Sequence, residues 1–234
     1  MKRLLAFDLE TAMVLPEPVS DLLAFRPLGI TCAVAISSTE PEPLVWHAGR
    51  GSGSHSKQMS TAEATEVVAA LESFVADGWQ VVTWNGLGFD FPVLADESGL
   101  KQRCIALALQ HVDMFFHVLC SQGHYISLQK ASEGMGLSGK AGGLSGAAAP
   151  SLWAAGRCTE VLDYCTQDVR LALALAERGE ARKALSWVTR RGSRRYMPLT
   201  GGWLSVSEAR RLPLPDTSWM TAPPSREQLY GWMT

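Results

Sequence analysis

Two carboxylates close the first apolar run of the sequence, LLAFDLET at residues 4–11. Side chains two positions apart on a strand point to the same face, so Asp8 and Glu10 would lie side by side if this run is a strand. Paired carboxylates repel each other and are costly to bury unless a cation neutralises them. Mg²⁺ and Mn²⁺ prefer oxygen ligands of this kind. The pair therefore predicts a divalent metal site, and an acidic pair that merely faces a loop is the alternative.

A third carboxylate, Asp90, lies in WNGLGFDFPVL at residues 84–94. The Asn-Gly dipeptide near its start predicts a tight turn. The aromatic residues on either side of the acid and the proline that follows them predict the first turn of a helix. Asp90 is then either a functional acid or a charge that favours the helix dipole.

A fourth acid comes from DYCTQD at residues 163–168. Tyr164 and Asp168 are four residues apart and share one face of a predicted helix. Asp163 lies about 140° around that helix from Asp168, so the two acids do not face one site. An amphipathic helix with a tyrosine and an aspartate on its surface is the other interpretation.

Strands and helices must bring these acids together in the fold. Along the chain, the hydrophobic pattern alternates between the period of a strand and the period of a helix. It predicts strands at 3–9, 29–37, 44–47 and 80–84, the first three as an antiparallel meander. It predicts helices at 60–77, from 89 onward, at 104–121, at 127–136 and from about 159 to about 185. A strand at 104–109 is the alternative for part of the third helix, and residues 138–150 are predicted as a Gly/Ala/Ser-rich loop. This order predicts a mixed α/β sheet flanked by helices.

The composition indicates a globular, cytoplasmic protein. Of the 234 residues, 47% are hydrophobic, which is enough for one good-sized core. We find no signal peptide at the N-terminus and no apolar run of the roughly 20 residues that a membrane span needs. The five cysteines are scattered without a CxxC pair, which favours reduced, buried thiols over disulfides or a zinc site.

The charge is divided unevenly along the chain. Residues 1–177 carry 11 Lys and Arg against 19 Asp and Glu, whereas residues 178–234 carry 10 against 4. The basic end is either a solvated surface or a landing surface for a polyanion such as nucleic acid. Its arginines stand among aromatic residues, which suits single-stranded nucleic acid, and we assign phosphate contacts to Arg190, Arg191, Arg194 and Arg195. Its tryptophans Trp203, Trp219 and Trp232 are predicted to pack on the core.

Together and in this order, FDLET, NGLGFDFP and YCTQD resemble the motifs of the 3′–5′ exonucleases of the ribonuclease H-like (DnaQ-like) superfamily. That family carries DxE on the first strand, NxxxFD before a helix and YxxxD on a late helix, the last marking its tyrosine (DEDDy) branch. The details NGLGFDFPVL and YCTQDV, with GLSGK between them, look most like stand-alone proteins related to the proofreading domains of family B DNA polymerases. The resemblance covers about residues 3–178. It implies a ribonuclease H-like exonuclease domain at 1–180 and a basic C-terminal extension at 181–234, packed on the core.

The resemblance also implies a site and an activity. It implies two Mg²⁺ or Mn²⁺ ions that would work by a two-metal mechanism. The ligands of these ions would be Asp8, Glu10, Asp90 and Asp168. Tyr164 would orient the attacking water, because a phenol with a pKa near 10 is a better positioning group than a base. The products would be nucleoside 5′-monophosphates released from the 3′ ends of single strands, with DNA favoured over RNA.

Further substrate contacts are predicted around this centre. Thr11 and Asn85 would touch the terminal nucleotide, and Phe89 would stack or wedge near the scissile end. Lys140, in the predicted loop, would reach a substrate phosphate. The alternatives are a core aromatic for Phe89 and a solvated lysine for Lys140.

Other functions remain open at this point. The same fold could serve a non-catalytic module that binds nucleic acid or a protein partner, although the presence of all four carboxylates argues against it. An exonuclease directed at RNA is a second alternative. An endonuclease of the ribonuclease H type is disfavoured by the late YxxxD helix. A protein partner and a role in DNA repair are left open.

Overall fold

A computed structural model describes residues 2–15, 22–137, 146–189 and 191–234. Its strands form a five-stranded sheet and a separate two-stranded hairpin. The sheet contains β1 (Leu4–Thr11), β2 (Ile30–Ser37), β3 (Leu44–His47), β4 (Gln80–Thr83) and β5 (Val112–Asp113). The hairpin contains β6 (Ala184–Val188) and β7 (Arg194–Pro198).

The helices pack around this sheet. They are α1 (Thr61–Ala76), α2 (Asp90–Ser98), α3 (Lys101–Gln110), α4 (Met114–Gln122), α5 (Leu128–Met135), α6 (Ala149–Ala154), α7 (Cys158–Arg182), α8 (Val206–Ala209) and α9 (Glu227–Tyr230). The start of α1 follows directly from its sequence, because Ser60 and Glu63 form the reciprocal hydrogen bonds of a capping box. The predicted mixed α/β sheet with flanking helices is confirmed.

The strands lie in the order β3-β2-β1-β4-β5. β1, β2 and β3 pair antiparallel, which confirms the predicted meander, whereas β4 and β5 continue the sheet parallel to β1. Parallel strands end at the same edge of a sheet, so the carboxyl end of β1 lies beside the turn that follows β4. At this edge, the motif that contains Asp8 and Glu10 lies next to the motif that contains Asp90.

The long helix α7 covers one face of the sheet, where it packs against β1 and β2. Its buried stripe includes Val161, Cys165, Val169 and Leu175. The predicted end of this helix at about residue 185 is wrong, because Lys183 adopts a left-handed conformation and the chain continues into β6.

The apolar segment 104–121 is not one helix, and it contains no strand at 104–109. His111 leaves the helical conformation after α3, and the short strand β5 follows. Asp113 then starts α4 by accepting a hydrogen bond from the N–H of Phe116. Of the predicted loop at 138–150, residues 138–145 lie outside the described part of the chain, and residues 146–150 form a short 3₁₀ turn and the start of α6.

Residues beyond α7 contribute side chains to the same hydrophobic core as the sheet, among them Leu185, Trp187, Met197, Leu199 and Trp203. Trp203 is buried and Trp232 packs against the core, as predicted, but Trp219 is 68% exposed, so its predicted packing is wrong. The sequence analysis did not predict the β6–β7 hairpin. A division of the chain at residue 180 stays a prediction.

Two expectations from composition can be compared with the structure. All five cysteines are buried and none forms a disulfide. Within the described ranges, no helix combines the length and the apolar character that crossing a membrane requires.

Candidate active site

The end of β1 presents its two acids on one face. The register of β1 with β2 continues through Glu10 and shifts only between Glu10 and Thr11. The hydroxyl of buried Thr31 on β2 donates to the carbonyl oxygen of Glu10 at 3.1 Å, which holds the strand at this point. Asp8 is half-buried and Glu10 is buried. The strand geometry that the two-residue spacing predicted is therefore present.

The turn after β4 carries Asp90 to the same place. Asn85 occupies the left-handed region at φ 74°, and the carboxylate of Asp113 accepts hydrogen bonds from the N–H of Asn85 at 3.0 Å and of Leu87 at 2.9 Å. Asp90 then opens α2, and its Oδ1 accepts the N–H of Leu9 at 3.0 Å. This bond ties the second motif directly to the strand that bears the first. Asp113 therefore holds this turn and also caps α4.

Helix α7 brings the third motif over β1. Cys165 donates a hydrogen bond from Sγ to the carbonyl oxygen of Asp8 at 3.7 Å. Tyr164 precedes it and is buried, while Asp168 lies one turn further along and is half-buried. Asp163, the neighbouring acid, is exposed. The Tyr164 hydroxyl lies 3.9 Å from the place that a Cβ on Gly146 would occupy, so it faces the segment that leads into α6.

Asp8 is the acid on which the other three carboxylates act. Burial raises the pKa of Asp8 well above its usual range, and the nearby carboxylates Asp90, Glu10 and Asp168 raise it further. Burial also raises the pKa of Asp90 to about 7, although hydrogen bonds from the Asp8 carboxyl and the Leu9 N–H oppose that shift. Like charges held together in this way favour protons or a cation between them.

The donor set fits a hard divalent cation. Four carboxylates converge from β1, α2 and α7, and carboxylate oxygens are the ligands that Mg²⁺ and Mn²⁺ take. One ligand atom each of Asp8, Glu10 and Cys165 lies within 4.8 Å of the others. The thiol of Cys165 adds one soft donor beside these hard ones.

Sequence reasoning missed Cys165. All five cysteines were interpreted as buried thiols. This is correct for the burial of Cys165, but it overlooked that Asp8 and Glu10 lie beside this thiol. The signal was available in the helical spacing, because Cys165 precedes Asp168 by three residues and so lies on nearly the same face of α7. That face is the one turned toward Asp8.

The other predicted substrate residues divide by location. Thr11 follows Glu10 at the end of β1, Asn85 lies in the turn after β4, and Phe89 immediately precedes α2; all three are half-buried. Thr11 and Phe89 are each adjacent in sequence to a carboxylate, and Asn85 lies in the turn that leads to Asp90. Their contacts with substrate stay predictions. Phe89 also packs against the core, which the alternative interpretation expected.

Three of the predicted basic contact residues belong to the part of the chain that the structure describes. Arg191, Arg194 and Arg195 are exposed on and beside the β6–β7 hairpin. Lys140 and Arg190 lie outside the described residues. The structure therefore brings together Asp8, Glu10, Asp90 and Asp168, with Tyr164 one helical turn before Asp168 on α7.

Comparison with known proteins gives a family and a fold. The family described as the RNase H superfamily matches residues 45–178, which is more than half of the chain and contains Asp90, Tyr164 and Asp168. Among solved structures, this chain is similar to the family B DNA polymerase from the hyperthermophilic archaeon Pyrobaculum calidifontis, with a TM-score of 0.53 and 19% sequence identity. The similarity covers 76% of this chain and 24% of the polymerase chain, so this chain corresponds to about a quarter of that enzyme's length. No curated protein matches.

Proposed function

The chain belongs to the RNase H superfamily, which confirms the predicted ribonuclease H-like fold, and from this premise we propose that it is a metal-dependent 3′–5′ exonuclease of the DEDDy type. One observation carries the proposal. The carboxylates of Asp8, Glu10, Asp90 and Asp168 meet at the carboxyl edge of β1 and β4, where burial and their mutual repulsion raise the pKa of Asp8. Buried and half-buried acids held this close together are costly unless a cation or a proton neutralises them.

Asp8, Glu10, Asp90 and Asp168 would hold Mg²⁺ or Mn²⁺, and two such ions would supply Lewis-acid stabilisation of the phosphoryl oxygens during hydrolysis. The Asp90 oxygen that accepts the Leu9 N–H is already fixed in place. Its orientation is therefore set by the backbone of the strand that carries Asp8 and Glu10.

Tyr164 would orient the attacking water. A phenol keeps its proton near neutral pH, so the hydroxyl donates or accepts a hydrogen bond without acting as the base. The burial of Tyr164 against the segment after Gly146 restricts the side chain and keeps the hydroxyl in one place.

The substrate in this proposal is the 3′ end of a single strand. Thr11, at the end of β1, and Asn85, in the turn after β4, would contact the terminal nucleotide. Phe89 would stack or wedge near the scissile end. Lys140 and the arginines at 190, 191, 194 and 195 would contact phosphates further along the strand. DNA is favoured because the motifs resemble proofreading domains, and an exonuclease directed at RNA is the alternative within the same chemistry.

A time course on end-labelled oligonucleotides tests the proposal. Single-stranded DNA and RNA, each labelled at either end, would be incubated with Mg²⁺, Mn²⁺ or EDTA. We expect a ladder of shortened products from the 5′-labelled strand and a labelled mononucleotide from the 3′-labelled strand, with no product in EDTA. Internal fragments would instead indicate an endonuclease. Binding without any cleavage would indicate a non-catalytic module.

A further inference from the structure

A groove with a volume of about 1290 Å³ lies outside the carboxylate site. It runs between the α4–α5 connection, the β6–β7 hairpin and residues 219–220. We call it the aromatic groove, and its lining includes Phe115, Tyr125, Trp187, Arg191, Arg195 and Trp219.

A column of aromatic rings connects the groove to the carboxylate edge of the sheet. Trp84 directly follows β4, and its ring meets Phe115 edge-on with 6.1 Å between centroids. Phe115 in turn stacks on Tyr125 with 5.0 Å between centroids and 10° between ring planes. Because β4 and β1 end at the same edge, this column begins beside the turn that carries Asp90 and ends in the groove.

Trp219 is held in the groove while its ring stays in solvent. The chain at Thr217 packs so closely on Gly123 that a Cβ there would lie 2.3 Å from the Thr217 methyl carbon. Gly123 also has φ 73°, which other residues rarely adopt. The N–H of Met220 donates to the Thr217 carbonyl and closes a turn around Trp219, whose ring meets His124 edge-on. A positioned but exposed indole is a stacking surface for a flat ligand.

The positive charge of the groove favours flat ligands that carry negative charge. Arg195 pairs with Trp187 across the hairpin, so a cation lies next to an aromatic side chain on the same face. Arg191, at the turn of the hairpin, is exposed as well. Alternating stacking surfaces and guanidinium groups match the bases and phosphates of a single-stranded nucleic acid.

We propose that the aromatic groove binds the single strand on the 5′ side of its 3′-terminal nucleotide, with bases on Tyr125 and Trp219 and phosphates on Arg191 and Arg195. The inference rests on the proposed function, because it assigns to the groove the same substrate that the carboxylates would cleave. The ligand is recognised by chemistry that DNA and RNA share.

Binding measured without metal tests the groove separately from cleavage. Fluorescence anisotropy in EDTA would follow a labelled 12-nucleotide single strand of DNA or of RNA, and a DNA strand of equal length without bases. We expect Trp219→Ser to weaken binding of the strands that carry bases about tenfold, as loss of one stacked base does, and to leave the abasic strand unaffected. Arg195→Ser should weaken all three and reduce the slope of log K against log salt by about 0.7.

Matched controls lie outside the groove. Leu214→Ser removes an exposed apolar side chain from the same C-terminal segment, and Arg182→Ser removes an exposed arginine from the end of α7. Both should bind as the unchanged protein does. Equal binding by Trp219→Ser and Leu214→Ser would overturn the groove assignment even if the protein proves to be an exonuclease. Groove-dependent binding without cleavage in Mg²⁺ would overturn the proposed function and leave the groove assignment standing.

Discussion

At the scale of single residues, Asp90 links the structure of the site to its chemistry. One of its oxygens accepts the N–H of Leu9, and its pKa is raised by burial to about 7. The unfolded carboxyl loses its proton near pH 4, so between about pH 4 and pH 7 the folded protein binds the extra proton. Stability without metal therefore falls as the pH rises through this interval.

A divalent cation should reverse this loss, because it replaces the proton among the carboxylates. We predict that Mg²⁺ at about 100 times its Kd stabilises the protein by about 2.7 kcal/mol at pH 8, roughly 5–10 °C in Tm, and much less at pH 5.5. Thermal unfolding with Mg²⁺ and with EDTA at each pH measures the effect, and contributions of other titrating groups cancel in each difference. An equal Mg²⁺ shift at both pH values would contradict the account.

Asp113 supports Asp90 without belonging to the cluster. Its buried carboxylate accepts the N–H groups of Asn85, Leu87 and Phe116. Asp113→Ala would leave three donors without an acceptor, and we expect a loss of about 3 kcal/mol or more in the free energy of unfolding. Asp113→Asn keeps one acceptor oxygen and should lose less.

Urea unfolding of the two variants checks this prediction. The control is Asp216→Ala, which removes an exposed acid whose described hydrogen bonds come from the neighbouring Ser218. An Asp113→Ala protein within 0.5 kcal/mol of the unchanged protein would show that the turn holds without Asp113.

At the scale of elements, α5 and β6 are in unusually close contact. A Cβ on Gly134 of α5 would lie 2.3 Å from the Cα of Trp187 and 2.4 Å from the carbonyl oxygen of Ser186. Backbone atoms cannot move aside as a flexible side chain can. Gly134 is therefore required by packing, against the preference of helices for alanine.

We predict that Gly134→Ala destabilises the protein by about 2–3 kcal/mol, because the strain of overpacking exceeds the roughly 1 kcal/mol gained in helix propensity. Chemical unfolding measures the difference. Gln129→Ala, at an exposed position of the same helix, should stay within about 0.5 kcal/mol. A neutral or stabilising Gly134→Ala would mean that β6 does not pack on α5 in solution.

The elements also show what sequence could and could not predict. Strong periodicity and local caps predicted β1 to β4, the Ser60 capping box and most of α7. The break between α3 and α4 was missed, since it depends on Asp113 reaching back to the turn after β4. The β6–β7 hairpin was missed because its exposed arginines obscure the alternation of a strand, and its position depends on packing against α4, α5 and α7. The shared face of Asp8 and Glu10 was predictable from strand spacing, and Asp90 and Asp168 were assigned through the family resemblance. The aromatic groove instead depends on residues from four distant segments.

At the scale of the whole molecule, Arg226 joins the C-terminal residues to the rest of the fold. Its guanidinium is largely buried and donates to the carbonyl oxygens of Cys120, Leu212 and Pro213 at 2.6–2.8 Å. The segment that it holds leads directly to Trp219. Arg226 therefore fixes one wall of the aromatic groove as well as the packing of the chain end.

Arg226→Met would keep the apolar stem and leave the three carbonyl oxygens without this donor. We expect a loss of about 3 kcal/mol in stability and weaker binding of single strands in EDTA. Arg211→Met, which changes an exposed arginine in the same region, should alter neither property. Unchanged stability of Arg226→Met would indicate that water replaces the guanidinium at these carbonyls.

The rate of 3′-nucleotide release in Mg²⁺ separates metal ligands from bystanders in four proteins: the unchanged chain, Asp8→Asn, Asp168→Asn and Asp163→Asn. Residues that only orient a metal ligand contribute 10–100-fold to activity, so loss of a ligand should cost more than about 100-fold. We predict this loss for Asp8→Asn and Asp168→Asn, and a rate within about twofold for Asp163→Asn, whose side chain is exposed on the same helix. Similar rates for all four proteins would contradict the assignment of the site, and no release by the unchanged chain would contradict the proposed function.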